Sequence, residues 1–144
     1  MQGDINDSES FSARLAGVDI VFHTAAYFRD NYKGGKHWDQ LHTTNVVGTA
    51  NLLKACYEVG IRRFVHTSST AIIQFRPGEW ADETMLRMEN EADDYQRSKI
   101  LSDQGVLKFL DAHPDVWAVF VLPGWMHGPG DSGQFRPGSP SWIS

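Results

Sequence analysis

The sequence predicts an α/β fold built on a parallel sheet with flanking helices. Three observations carry this. Apolar runs of strand length recur at Val18–Phe22, Arg63–Thr67 and Val116–Val121. Segments of helical periodicity alternate with them, and such alternation argues for parallel strands covered by helices on both faces. The segments that leave the strands, Thr24-Ala25-Ala26, Thr67-Ser68-Ser69-Thr70 and Leu122-Pro123-Gly124, are small, polar or turn-forming, and ligands of open α/β sheets bind at that end of the strands.

The elements follow in order. Asp7-Ser8-Glu9-Ser10 reads as a helix start, because acidic residues favour the first turn. Phe11, Leu15 and Ala16 give that helix an apolar side, and Gly17 stops it. Val18–Phe22 is apolar enough for a buried parallel strand. A loop rich in Arg, Asp, Lys and Gly follows, up to Lys36. From about Trp38 to Val59, Leu41, Val46, Ala50, Leu53 and Tyr57 recur at helical spacing, with Gly60 as the C-terminal cap. Arg63–Thr67 is the second strand. Residues 74 to 92 carry Pro77, Gly78 and several acids, and a loop of that length in a compact domain is usually functional. Asp93 or Asp94 caps the next helix, whose buried stripe includes Ile100, Leu107 and Leu110 and whose end is marked by Pro114. Val116–Val121 is the third strand. The remainder is crowded with Pro and Gly and reads as turns.

Composition narrows the function. With 144 residues the chain can bury one real core. Its net charge of −5 and lack of a basic stripe argue against a nucleic-acid partner. Cys56 is the only cysteine, which excludes an intramolecular disulfide and a thiolate cluster. Met1-Gln2-Gly3-Asp4 is polar, and the most apolar run, Val116–Leu122, is too short to cross a bilayer. A soluble, cytoplasmic chain is expected. His37 and His42 stand five apart, a poor spacing for one helix face, and no His-Glu-x-x-His pattern occurs, so no metal is expected.

The candidate chemistry lies at Tyr95 and Lys99. Four residues apart on a helix, they share one face. Tyr32 and Lys36 have the same spacing, but Gly34-Gly35 between them opposes helix. A phenol, an ammonium and a strand-end hydroxyl converging on one point make a proton-transfer site.

Together these stretches resemble the extended short-chain dehydrogenase/reductase family, which includes NAD-dependent epimerases and dehydratases and dihydroflavonol-type reductases. Gly3-Asp4-Ile5 resembles its adenine-contacting segment. Val18–Ala26 is similar to its fourth strand and cofactor-lining turn, and Asn45–Leu53 to its central helix. Arg63–Ser69 resembles the fifth strand with the catalytic hydroxyl. Tyr95-Gln96-Arg97-Ser98-Lys99 matches Tyr-x-x-x-Lys, and Pro123-Gly124 with Gly128–Asp131 resembles the turn after the sixth strand. The resemblance spans about residues 3 to 131 and implies a partial NAD(P)-binding, Rossmann-type domain over residues 1–131, comprising the family's strands 4, 5 and 6, with 132–144 an unassigned tail.

It implies NAD or NADP as cofactor, bordered by Asp4, Ile5, Thr24, Ala25, Ala26, Thr67, Tyr95, Lys99, Pro123 and Gly124. Tyr95 is then the general acid/base. Lys99 holds the nicotinamide ribose and lowers the pKa of a phenol that ordinarily titrates near ~10. Ser69 bonds the substrate oxygen, with Ser68 as the alternative if the register slips by one. Asn45 supports a water relay to the lysine. Acid/base positioning of this kind is typically worth ~10²–10⁴ in rate.

The glycine-rich pyrophosphate turn of the family does not occur: Gly34-Gly35 comes too late in the order. The expectation is a fragment without the family's first strands and its C-terminal substrate region, keeping the catalytic residues but losing most cofactor affinity; micromolar binding of NADH or NADPH would contradict it. The unpaired edge of the Val18–Phe22 strand invites homo-oligomer formation or aggregation. Where sugar-nucleotide members place an arginine and an asparagine, this chain has Leu122 and Trp125. Trp125 and Met126 offer an apolar wall, which favours a small apolar or aromatic carbonyl or alcohol substrate. The alternatives are a sugar-nucleotide epimerase or dehydratase, a non-catalytic dinucleotide sensor, and an inactive fragment. His127 reads as polar surface, with a second proton group as the other reading.

Overall fold

The computed structural model of the chain describes residues 3–28 and 36–126. Tyr32, Gly34-Gly35, His127, the Gly128–Asp131 turn and the tail from 132 onward lie outside the described residues. Three parallel strands, β1 (Ile20–His23), β2 (Arg63–Thr67) and β3 (Trp117–Val121), form one sheet in the order β1-β2-β3. Val21 pairs with Phe64 and Phe64 with Ala118; His23 pairs with His66 and His66 with Phe120. The predicted α/β class and strand order are therefore present, and all three strands point their carboxyl ends to one rim.

The first helix is shorter than its acidic start suggests. Only α1 (Glu9–Ser12) is helical. The Ser10 hydroxyl donates to the Asp7 carbonyl at 2.6 Å and accepts from the Asp4 amide at 2.9 Å. Such side chain to backbone bonds favour turns over helix.

The long helix forms as α2 (Trp38–Leu41), a π-helical turn (His42–Val47) and α3 (Gly48–Glu58). Gly60 ends it with φ +91°, the left-handed conformation glycine adopts readily. Its amide bonds the Tyr57 carbonyl and the Ile61 amide bonds the Cys56 carbonyl, the paired bonds of a Schellman cap. The helix buries Asn45, Thr49 and Cys56 beside Leu41 and Leu53, and leaves Ala50 exposed. The apolar pattern passed over two polar positions because hydrogen bonding, not hydrophobicity, places them inside.

α4 (Asp94–Ala112) is capped by Asp93, which accepts from the Gln96 amide at 2.8 Å while the Gln96 side chain accepts from the Asp93 amide at 3.0 Å. This reciprocal pair is a capping box. Leu107, expected inside, is half exposed; Val106 is buried in its place, together with Ser98, Lys99, Ser102 and Asp103.

The main core joins Leu53 and Cys56 of α3, Val106 of α4, Ile61 and Phe64, with Val21, Ala118 and Phe120 packed against it. Burial pushes the Cys56 thiol up to about 11. All of these strand residues lie on one face of the sheet. The expectation of helices on both faces is corrected here: among the described residues, α3 and α4 both cover that face. On the other, Ile20, Phe22, Trp117, Val119 and Val121 are exposed, Phe22 by 68% and Trp117 by 58%.

An apolar face of this kind, beside a β1 edge that no described strand pairs, favours association. We expect the chain to sediment as concentration-dependent oligomers and Phe22→Lys to shift it towards monomer. A native chain that stays monomeric at every concentration contradicts this.

Candidate functional site

The rim at the carboxyl ends of the strands is stitched together by backbone bonds. The Ser68 amide donates to the Val121 carbonyl at 2.8 Å, and the Thr70 amide donates to the Pro123 carbonyl at 3.1 Å. Ser69 is extended, and its hydroxyl accepts from the Ala71 amide at 3.2 Å as the cap of a short 3₁₀ turn, Thr70–Ile72. These contacts bring Pro123 and Gly124 beside the β2 tip.

Tyr95 lies in the first turn of α4, so the capping box at Asp93 fixes where the phenol starts. The phenol is half-buried, and the Ser69 side chain is near enough to act on it, lowering its pKa. Phe28 stands edge-on to it, ring centroids 4.9 Å apart. One turn further along, Lys99 is 4% exposed and its Nζ donates to the Thr67 carbonyl at 2.8 Å. The tyrosine, the lysine and the strand-end serine therefore meet at one point. Of the two serines, Ser69 lies beside the phenol, and Ser68 is buried and donates to Asp103 Oδ2 at 2.5 Å.

One expectation needs correction. The resemblance implies that Lys99 lowers the phenol's pKa. Here the Tyr95 pKa is raised, first by burial; the Ser69 hydrogen bond opposes this, and the charge of Asp93 adds to it. The physical reason is that the phenol is partly buried and the ammonium is directed at the Thr67 carbonyl. Lys99 itself is lowered by burial, while the charge of Asp103 works the other way.

Asn45 sits in the π-helical turn and is buried. Its Oδ1 accepts from the Tyr27 amide at 2.7 Å, and its Nδ2 donates to the Tyr27 carbonyl at 2.9 Å and to Ser98 Oγ at 3.0 Å. Both amide protons are thus taken, and the residue clamps the chain after β1 to α4. Its backbone carbonyl accepts from Thr49 Oγ1 at 2.7 Å. Single-turn π-bulges are frequent at functional sites.

Of the other expected residues, Thr24, Ala25 and Ala26 form an exposed shelf beyond β1. Trp125 and Met126 follow Gly124 and are largely exposed. Asp4 and Ile5 lie away from the tyrosine: Ile5 packs on Gly48, where an added Cβ would meet its side chain at 3.1 Å, and Asp4 Oδ1 accepts from the Asn6 amide at 2.9 Å. The loop between residues 74 and 92 is tied down at its end. Arg97 bonds Glu89 at 2.8 Å and stacks over the Trp38 ring at 4.4 Å.

Pattern reading missed the layer beneath the site. Asp103 accepts from His66 Nε2 at 2.9 Å as well as from Ser68. His23 Nε2 bonds Thr49 Oγ1 at 2.8 Å, and Ser102 donates to Thr49 at 3.3 Å. A signal existed: Tyr95, Lys99 and Asp103 fall at successive spacings of four, as do Ser98 and Ser102, which is a polar stripe where an amphipathic helix would bury apolar residues. Among the described residues no three metal-ligating side chains gather, and no helix is long and apolar enough to cross a membrane.

Comparison with known proteins shows the family. Residues 1–135 match the 3-beta hydroxysteroid dehydrogenase/isomerase family, and the chain belongs to that family. It is 31% identical over 142 residues to a 3 beta-hydroxysteroid dehydrogenase/Delta 5→4-isomerase of Mycobacterium tuberculosis, a match covering 94% of this chain and 38% of that protein. It is 34% identical over 137 residues to a 2-alkyl-3-oxoalkanoate reductase of Stenotrophomonas maltophilia, covering 91% of this chain and 39% of that one. Among solved structures, a double mutant of the dTDP-glucose 4,6-dehydratase of Streptomyces venezuelae with NAD bound is similar at a TM-score of 0.69 and 27% identity, over 82% of this chain and 35% of that one. The chain thus spans about two fifths of the length of these curated relatives.

His23 gives the site a pH signature. Its imidazole is pushed down to about 3, first by burial, then by the charges of His66 and Lys99. As pH falls, the unfolded chain takes up this proton first. The stability contributed by the neutral ring is therefore complete above the ordinary histidine value of about 6.5 and is lost as pH drops from there towards about 3. Urea midpoints should fall more steeply with acid for the native chain than for His23→Gln; parallel slopes contradict the assignment.

Proposed function

We propose that this chain carries the acid/base site of an NAD(P)-dependent oxidoreductase that interconverts an alcohol and a ketone on an apolar small molecule. The observation that carries the reading is the gathering of Tyr95, Ser69 and Lys99 at the rim, with the Ser69 side chain acting on the phenol and the ammonium seated at the β2 tip.

The residues fit one end of the cofactor. Lys99 Nζ gives one proton to the Thr67 carbonyl and has two donors left for ribose hydroxyls. The exposed Thr24–Ala26 shelf and Pro123-Gly124 border the same space. No glycine-rich strand-to-helix turn is present to seat a pyrophosphate. When bound, the nicotinamide supplies the hydride acceptor for oxidation or the donor for reduction. In oxidation, Tyr95 takes the hydroxyl proton as the carbonyl forms; in reduction it returns that proton to the oxygen. Ser69 donates to the same oxygen and holds it against the phenol. Lys99 keeps its ammonium at the β2 tip, where it would hold the nicotinamide ribose.

The apolar substrate class is supported by Phe28, packed on the phenol and 62% exposed, by Trp125 and Met126, and by the family's hydroxysteroid dehydrogenase members. Sugar nucleotides are the second reading, favoured by the structural likeness to the dTDP-glucose dehydratase. Against it, the resemblance implies that Leu122 and Trp125 stand where sugar-nucleotide members place an arginine and an asparagine.

The test is turnover of a hydroxysteroid and, separately, of a dTDP-sugar, with saturating NAD(P)⁺ and NAD(P)H absorbance as readout. We expect hydroxysteroid oxidation, and a loss of ~10²–10⁴ in rate for Tyr95→Phe. Equal rates for the two proteins overturn the role of Tyr95. Exclusive turnover of the dTDP-sugar overturns the substrate class, and cofactor binding without any turnover makes the chain a sensor.

A further inference from the structure

Beneath the Tyr95–Ser69 contact lies a buried carboxylate that the proton-transfer chemistry does not use. Asp103 is 7% exposed and stands one turn after Lys99 on α4. Both of its oxygens are engaged by β2. His66 Nε2 lies 2.9 Å from Oδ1, and Ser68 Oγ donates to Oδ2 at 2.5 Å. A carboxylate only accepts, so the bond to His66 selects the imidazole tautomer with its proton on Nε2.

The His66 ring is completely buried, and its Nδ1 has no hydrogen-bond partner among the described residues. Asp103 is therefore the one polar group that orients this ring. Ser68 is flanked by the two residues that matter at the rim: Thr67, whose carbonyl takes the Lys99 ammonium, and Ser69, whose hydroxyl meets the Tyr95 phenol. One side chain thus grips the middle of the tripeptide that presents both catalytic contacts.

We propose that Asp103 is the positioning residue of this site, locking the Thr67–Ser69 tip to α4 one helical turn beyond the buried Lys99 ammonium. Burial works against that ammonium, and the charge of Asp103 is the influence that opposes it. The groups facing Lys99 are the Thr67 carbonyl from β2, His23 from β1, and Tyr95 and Asp103 from its own helix; those facing Asp103 are His66 and Ser68 from β2 and Lys99 from α4. Asp103 is the acid among them that offsets the desolvation of the amine. A merely structural residue would hold the tip without setting the charge of the lysine.

The inference deepens the acid/base reading of the site, yet its readout needs neither cofactor nor turnover, so the two fail separately. The experiment is a pH titration of the Lys99 side chain by ¹³C NMR in the native chain and in Asp103→Asn, an isostere that removes the charge and keeps groups able to bond His66 and Ser68. We expect Lys99 to titrate about one pH unit lower in Asp103→Asn, the lower end of the effect of an adjacent opposite charge. Ser68→Ala should leave the Lys99 titration in place while its residue-68 amide, bonded to Val121, exchanges faster with solvent. An unchanged Lys99 titration in folded Asp103→Asn overturns the proposal. If Asp103→Asn does not fold, the native chain decides: the Asp103 carboxyl carbon must record the Lys99 deprotonation as an inflection, and its absence overturns the proposal equally.

Discussion

The structure at the rim depends on one buried cation. Lys99 is almost wholly removed from water, and its ammonium is anchored to the carbonyl of Thr67. A buried ammonium persists only with partners that replace its hydration. The direct partner here is a strand-end carbonyl, and the charge of the carboxylate one turn along the helix acts in the same sense. That requirement fixes α4 against β2 at the level where the phenol and the serine hydroxyl meet. The capping box at Asp93 fixes the helix from its other end, so Tyr95 is held between two constraints that do not involve its own side chain.

The polar layer under the site follows from the same logic. Helix positions that ordinarily carry apolar residues instead carry Asn45, Thr49, Ser98, Ser102 and Asp103, and each is hydrogen-bonded to a neighbouring element. The apolar core of Leu53, Phe64 and Val106 lies further down the same helices. The sheet is thus packed by hydrophobic contact at the amino end of its strands and by hydrogen bonds at the end where chemistry takes place. The opposite face is bare among the described residues, which is consistent with a chain that spans about two fifths of its relatives' length.

The strands, the Tyr95 helix and its cap were legible because each rests on local signals. Apolar runs mark β1, β2 and β3, and Asp93 with Gln96 three residues later marks the start of α4. The site trio was legible from Tyr95 and Lys99 on one helix face and from Ser69 at a strand end. What was not legible depends on contacts between distant segments. The burial of Asn45, Thr49 and Asp103 requires partners 18 to 53 residues away, which no periodicity encodes. Leu107 was misplaced because an apolar stripe was sought where the helix buries a polar one. The direction of the Tyr95 pKa was missed because it depends on how far packing buries the phenol, a property of the assembled site and not of the residue beside it.

The most direct measurement of this account is the reactivity of each lysine. Acetic anhydride in limiting amount, followed by mass spectrometry of the native chain, reports which amines are reachable. The structure predicts that Lys54, exposed on α3, and Lys108, exposed on α4, are acetylated while Lys99 is protected, and that Lys99 becomes reactive only when the chain unfolds. Acetylation of Lys99 at the rate of Lys54 in the folded chain would place the ammonium in solvent and contradict the anchoring of α4 to β2.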